Sequence, residues 1–115
     1  MAWEVETTEE YDSWFLNLAE DGQESIRIKV ELLAEYGPHL PRPHADTLKG
    51  SKLSNLKELR AQTEKHVLRA AYIFDEKRKA VLLIGGDKKG KEEKRFYRNL
   101  IKQAEEIYQQ YQNAQ

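Results

Sequence analysis

The chain opens with Trp3-Glu4-Val5-Glu6, an alternation of apolar and polar residues that predicts a short first strand. Thr7 followed by Glu10 fits a capping box, with Thr7 as the cap and Glu10 reaching back. Tyr11, Trp14, Phe15 and Leu18 then recur at the spacing of one buried helix face, over roughly residues 8–20. Asp21 and Glu24 repeat the capping pattern across Gly22. Ile26, Val30 and Leu33 carry a second helix to Tyr36, and Gly37-Pro38 ends it. So short a connection predicts an antiparallel helical hairpin.

Residues 37–55 read as a loop, punctuated by Pro38, Pro41, Pro43 and Gly50. Loops of that length in small domains are often functional. Three strand segments follow: Leu56 to Gln62, His66 to Asp75, and Lys79 to Gly86. Thr63-Glu64-Lys65 and Glu76-Lys77-Arg78 are their hairpin turns. A last helix runs from about Glu92 to Gln110, with apolar positions at Tyr97, Leu100 or Ile101, Ala104, Ile107 or Tyr108, and Tyr111. The polar tail from Gln109 to Gln115 is expected to fray. The order β-α-α-β-β-β-α predicts an α+β fold: a small antiparallel sheet, an N-terminal helical hairpin and a C-terminal helix. One sheet face is expected to stay open to solvent and to a ligand.

Composition narrows the setting. A chain of 115 residues with 39% hydrophobic content suits a single domain with one modest core. No apolar run reaches the length of about 18 residues that marks a membrane span. The opening residues lack the basic start and apolar stretch of a signal peptide. Absence of cysteine excludes disulfides, thiolate catalysis and Cys-ligated zinc, so a cytoplasmic address is expected. The net charge of -1 hides an asymmetry. Residues 1–36 hold ten acidic and two basic residues; residues 37–115 hold ten acidic and 17 basic. The second segment suits a polyanion partner, or it is simply a solvated surface.

Candidate chemistry gathers on the strands and the last helix. Glu58 and Arg60 alternate with Leu59 and Ala61, so they share the opposite face. Arg69 lies opposite Leu68, Ala70, Tyr72 and Phe74. A charged residue in such a strand must reach solvent or find a partner, so Arg69 is either a ligand-facing cation or paired with Glu58. Leu82-Leu83-Ile84-Gly85-Gly86-Asp87-Lys88-Lys89-Gly90 predicts a strand ending in two glycines and a lysine-rich turn, where a phosphate can approach the backbone. Lys88 and Lys89 then either overhang the arginines or lie in solvent. Tyr97 is a core residue or, flanked by Lys94, Arg95 and Arg98, a group near the reacting atoms. His39, His44 and His66 have no metal-ligand spacing, and no cofactor fingerprint is present, so neither a metal nor a cofactor is expected.

Leu48-Lys49-Gly50, Lys57-Glu58-Leu59-Arg60, Arg69-Ala70-Ala71-Tyr72, the Gly85-Gly86-Asp87-Lys88-Lys89 segment and Phe96-Tyr97, in that order, resemble the phage-derived, HigB-like branch of the RelE toxin superfamily. Trp3-Glu4-Val5 and the stretch from Gly37-Pro38 to Arg42-Pro43-His44 also look like that branch. The resemblance implies a type II toxin, an endoribonuclease that cuts messenger RNA on the ribosome. It implies attack of the 2′-hydroxyl on the adjacent phosphate without a metal. Carried over by motif, Arg60 and Arg69 match the strand arginines, Lys88 or Lys89 the basic residue after the last strand, and Tyr97 the helix tyrosine. Glu58 stands where better-known relatives have a lysine, so the proton acceptor is Tyr97, Glu58, or another group such as Lys57. Lys49, Lys57, Lys89 and Arg95 are the further candidate RNA contacts. The implied partners are a helix-turn-helix, HigA-like antitoxin, the ribosome and messenger RNA, with DNA reached only through the antitoxin and no membrane. The alternative is a non-catalytic module of the same fold that holds an antitoxin or RNA without cleaving.

Overall fold

Five strands form one sheet in the order β1-β5-β4-β3-β2. The computed structural model describes residues 2–115. β1 (Val5–Thr7) runs parallel to β5 (Ala80–Asp87) at one edge. Antiparallel pairings then link β5 to β4 (Val67–Phe74), β4 to β3 (Lys57–Gln62), and β3 to β2 (Ala45–Thr47). Helices α1 (Glu9–Leu16) and α2 (Glu20–Tyr36) follow β1, and α3 (Glu93–Asn113) follows β5. The class is the α+β fold expected from the sequence, with one strand more. No described helix is long and apolar enough to cross a membrane.

The extra strand is β2, inside the stretch read as a loop. Ala45-Asp46-Thr47 has no strand pattern of its own; it becomes a strand only by pairing with Leu59, Glu58 and Lys57. A short 3-10 turn, Gly37–His39, occupies the start of the same stretch. Gly37 has φ +57, and a Cβ there would meet the Trp3 ring at 2.5 Å, so the end of α2 admits glycine alone.

Both sheet faces are covered, contrary to the expectation of an open one. Leu59, Ala61, Leu68, Ala70, Tyr72 and Leu82 pack with Tyr11, Ile26 and Leu33 of α1 and α2. On the other face Ala71, Ile73, Val81 and Leu83 pack with Phe96, Leu100, Ala104 and Tyr108 of α3. β4 is apolar on both faces through most of its length, and such a strand requires two covers. Beside the start of α3 this cover leaves a cleft, lined by Glu58, Arg60 and Tyr97.

A bulge in β5 ties the first helix to the sheet. Ala71 pairs with Ile84 but Tyr72 pairs with Leu82, so Leu83 is the additional residue. The freed Leu83 carbonyl accepts a hydrogen bond from Thr8 Oγ1 at 2.7 Å. Thr8 Oγ1 in turn accepts from the Tyr11 N–H at 3.0 Å and caps α1. The cap is therefore Thr8 and not Thr7, which is committed to pairing with Leu82. α1 stops at Leu16, earlier than its apolar spacing suggests, where Gln23 Nε2 donates to the Phe15 carbonyl at 3.1 Å. Asp21 and Glu24 lie inside α2, whose N-cap Ala19 offers no side-chain hydrogen bond. α1 seats chiefly on β5 and α2 on β3, so the two helices are placed by the sheet more than by each other.

Gly85 and Gly86 lie inside β5, as the strand reading has them, with one further residue, Asp87, after them, and an aromatic ring packs against each. A Cβ on Gly85 would stand 2.5 Å from the Trp14 ring, and one on Gly86 3.0 Å from Phe96 Cε1. These glycines admit close packing of rings from α1 and α3 on the sheet. The C-terminal helix also continues past its expected end. Tyr111 stacks on Tyr108 with centroids 6.1 Å apart, and its hydroxyl donates to Glu6 of β1.

Two substitutions test this packing. Gly85→Ala drives a methyl into Trp14 and should destabilise the protein by about 1–3 kcal/mol, with a smaller loss for Gly86→Ala, read from urea unfolding midpoints. Thr8→Val removes the cap and the bulge bond together and should cost about 1–3 kcal/mol by the same measurement.

Candidate active site

Strand alternation sends Glu58, Arg60 and Arg69 to the α3 side of the sheet. The β3–β4 register sets Arg60 directly opposite Arg69 and Glu58 opposite Ala71. Like charges facing each other across a ladder repel. Glu58, one position along, answers both: its Oε1 lies 3.7 Å from Arg69 Nε and its Oε2 3.9 Å from Arg60 Nε. These are ion-pair distances, too long for hydrogen bonds. Glu58 Oε1 is buried with no hydrogen-bond partner.

Arg69 is only 5% exposed, so it is not the ligand-facing cation that its position in the strand first suggests. Its Nη1 donates to the Leu68 carbonyl at 3.0 Å and its Nε to the Tyr97 hydroxyl at 3.1 Å. The pairing with Glu58, the other reading of this residue, is the arrangement found. Arg69 lies behind Tyr97.

Tyr97 takes its place through its neighbour. Phe96 seats on Gly86 and fixes the first turn of α3, which turns the next side chain toward β3 and β4. Lys88 reaches the same spot from the end of β5, its Nζ 5.4 Å from the Tyr97 ring centroid. The turn that aims it is clamped by Asp87, whose carboxylate accepts from the Val67 and Lys89 N–H groups, both at 3.0 Å, and lies 2.5 Å from His66 Nδ1. Burial opposes ionisation of Asp87, but these partners outweigh it and hold the carboxyl below its ordinary range.

Glu58, Arg60, Lys88 and Tyr97 thus line one cleft of about 360 Å³, together with Lys49. Burial pushes the Glu58 carboxyl above its usual range, against the Tyr97 hydroxyl and the two arginines, which pull it down. Burial likewise pushes the Tyr97 phenol up; the Arg69 hydrogen bond opposes this and the Glu58 charge adds to it. Lys88 Nζ donates to Glu93 Oε1 at 2.7 Å, and Glu93 is largely exposed. An exposed pair of this kind contributes little and can open for a stronger anion.

Three candidates fall elsewhere. Lys57 alternates with Glu58 and belongs to the opposite side of β3. Lys89 Nζ donates to the Glu64 carbonyl at 3.0 Å, in the β3–β4 hairpin. Arg95 lines a separate cavity with Gly85 and Gly86. Conversely, the cleft includes residues that the pattern did not single out: Arg42 and Asp46, an ion pair at 3.0 Å beside β2, and Glu93. Only the length of the 37–55 stretch hinted at the first two. No histidine lines the cleft; His44 Nδ1 sits 2.8 Å from Lys29 Nζ. Among the described residues no group of His, Asp and Glu side chains is arranged to hold a metal ion.

The architecture matches solved toxin structures. A free-state double mutant of the E. coli toxin RelE superposes with a TM-score of 0.59 at 14% identity, covering 77% of this chain and 86% of that one. The RelE–RelB complex from Pyrococcus horikoshii gives 0.56 at 21% identity, covering 78% and 99%. At these identities the likeness is one of fold. Sequence relatives are nearer. "Putative toxin HigB3" of Mycobacterium tuberculosis is 40% identical over 90 residues, 78% of this chain and 76% of the relative. "Putative toxin HigB2" of the same organism is 33% identical over 104 residues, 90% of this chain; the match spans about half the relative, 51%. The profile of the family described as "Phage derived protein Gp49-like" matches residues 13–109, and the chain belongs to that family.

Proposed function

We propose that this protein is the toxin of a type II toxin–antitoxin system and cleaves messenger RNA bound to the ribosome, using cationic side chains and no metal. The observation that carries this reading is the convergence of Arg60 and Lys88 on Glu58 and Tyr97 in one cleft, with Arg69 hydrogen-bonded to Tyr97 from behind. The names of the relatives and the RelE fold point the same way.

In this mechanism the scissile phosphate sits between Arg60 and Lys88. The 2′-oxygen forms a bond to phosphorus as the bond to the 5′-oxygen breaks. The products are a 2′,3′-cyclic phosphate and a 5′-hydroxyl end. Fixed cations stabilise the extra charge on the phosphorane-like transition state without reorganising during the step. The 2′-hydroxyl proton passes to Glu58, and Lys88 returns one to the 5′-oxygen. Tyr97 is the weaker acceptor, because its phenol is raised and stays protonated near neutrality. Glu58 is raised from the carboxylate side, which makes it a stronger base than an ordinary glutamate. Tyr97 donates a hydrogen bond and holds the geometry. The ribosome supplies the remaining alignment of the messenger. A helix-turn-helix antitoxin of the HigA type is the cognate partner and carries any contact with DNA.

Induced expression should arrest growth, and mapped RNA 5′ ends should cluster at codons within reading frames. Arg60→Ala and Lys88→Ala, if folded by circular dichroism, should each lower cleavage by about 10²–10³-fold and relieve the arrest. Undiminished toxicity in both folded variants would sink the reading.

The pH response separates Glu58 from Tyr97. Cleavage should rise with pH as Glu58 ionises, above the ordinary carboxylate range, and Glu58→Gln should remove that limb with about a 10²–10⁴-fold loss of rate. Stability should move the other way. With its folded pKa raised, Glu58 contributes in full below the unfolded value of about 4.3, and the contribution disappears as pH rises through the folded pKa. Denaturant titrations of the wild type should show that decline, and Glu58→Gln should lack it.

A further inference from the structure

A second, more basic groove continues from the cleft and shares Lys49, Tyr97 and Ile101 with it. Its volume is about 450 Å³, and Lys52, Lys94, Arg98 and Lys102 line it. Lys94, Arg98 and Lys102 fall at intervals of four on α3, one row of about 12 Å along the helix axis. None of these four cations makes an ion pair among the described residues. Glu105 is the one carboxylate in the groove, and it is already engaged. Its Oε2 accepts from Ser51 Oγ at 2.8 Å and from the Lys52 N–H at 2.7 Å. Those bonds pin the 49–52 segment against α3 and give the groove its second wall.

Like charges four apart along a helix oppose its formation, so folding gains nothing from this row. An anion strand laid along it would be neutralised at several points. We propose that Lys52, Lys94, Arg98 and Lys102 form a track for the sugar-phosphate backbone of RNA running on from the cleft. That the strand is the one being cut rests on the function proposed above; that the track takes RNA phosphates does not. The phosphates belong either to the messenger beside the scissile bond or to ribosomal RNA around it. Guanidinium and ammonium groups on flexible stems, with no base-reading cluster among them, fit backbone binding independent of sequence.

The test uses the full chain and the triple variant Lys52→Gln/Arg98→Gln/Lys102→Gln, which leaves Lys49, Glu58, Arg60, Lys88 and Tyr97 intact. The probes are a fluorescent 12-nucleotide RNA carrying 2′-O-methyl groups, which cannot be cleaved, and purified ribosomes. Affinity is measured as a function of potassium chloride. Three lost phosphate contacts should flatten the log–log salt slope by about 2 for the single strand. The thermal midpoint should hold or rise, since like charges are removed from α3. A flattened slope with the oligonucleotide assigns the track to the messenger. A flattened slope with ribosomes alone assigns it to ribosomal RNA. Unchanged affinity and slope in both arms would overturn the proposal, as would failure of the wild type to bind either probe. A variant that keeps both RNA affinities but loses a polyglutamate peptide overturns it too, and makes the groove a site for an acidic protein segment. If the wild type binds RNA with the expected slope but cuts nothing on ribosomes, the cleavage reading fails and the track stands.

Discussion

The contact between Phe96 and Gly86 sets the geometry on which the cleft depends. β5 lies between β1 and β4, and its two glycines let a ring from each side approach the backbone. Trp14 takes the Gly85 side and Phe96 the Gly86 side. With Phe96 seated, the first turn of α3 has one rotational setting, and Tyr97 meets Arg69 at hydrogen-bond distance. Nearby, the Asp87 clamp directs Lys88 over the same tyrosine. Packing thus decides where the polar groups meet. A one-position rotation of α3 would bury a charged neighbour against the sheet, so the apolar face enforces the setting.

Within that frame, the charged cluster works against stability. Two arginines face each other across the ladder, and the carboxylate beside them has a buried oxygen without a hydrogen bond. A buried polar atom left unsatisfied costs about 1–3 kcal/mol, so the arrangement is poor as a structural device. Local rules are broken most often where chemistry is done. The cost is tolerable because the groups hold one another in place: Arg69 is fixed by Leu68 and Tyr97, and Glu58 by both arginines. The exposed pairs at the rim, Lys88 with Glu93 and Arg42 with Asp46, are the parts free to rearrange around an anion. The site thus combines a rigid floor with adjustable walls.

The alternation of Glu58 and Arg60 with Leu59 and Ala61, and of Arg69 with its apolar neighbours, was enough to put all three charges on one face, because side chains alternate strictly along a strand. The helix spacings of Tyr11, Trp14 and Phe15, and of Leu100, Ala104 and Tyr108, likewise located the apolar stripes that became the two cores, but the spacing began the α3 stripe at Tyr97, where the structure buries Phe96. Family motifs pointed to Tyr97 and Lys88, which spacing alone left ambiguous between core or solvent and site. Other features had no local signal. β2 exists only through its partner strand, the cap shifted from Thr7 to Thr8 because Thr7 is paired with β5, and the glycines were filled by rings from distant helices. Lys57, Lys89 and Arg95 could be excluded from the cleft only once strand faces and turn directions were known.

By itself, then, the sequence determined the types of the three helices and of every strand but β2, the charge asymmetry between its two segments and the face on which each residue of those strands lies. Those are properties of short-range periodicity and composition, and they do not depend on which element packs against which. Tertiary structure decided that Arg69 is buried behind Tyr97 and not presented to a ligand, that Glu58 stands between two arginines, and that the cations of α3 continue the cleft as a groove. Each depends on strand register or helix rotation, set by contacts between residues far apart in the chain. A shift of one residue in either would have sent the same side chains elsewhere.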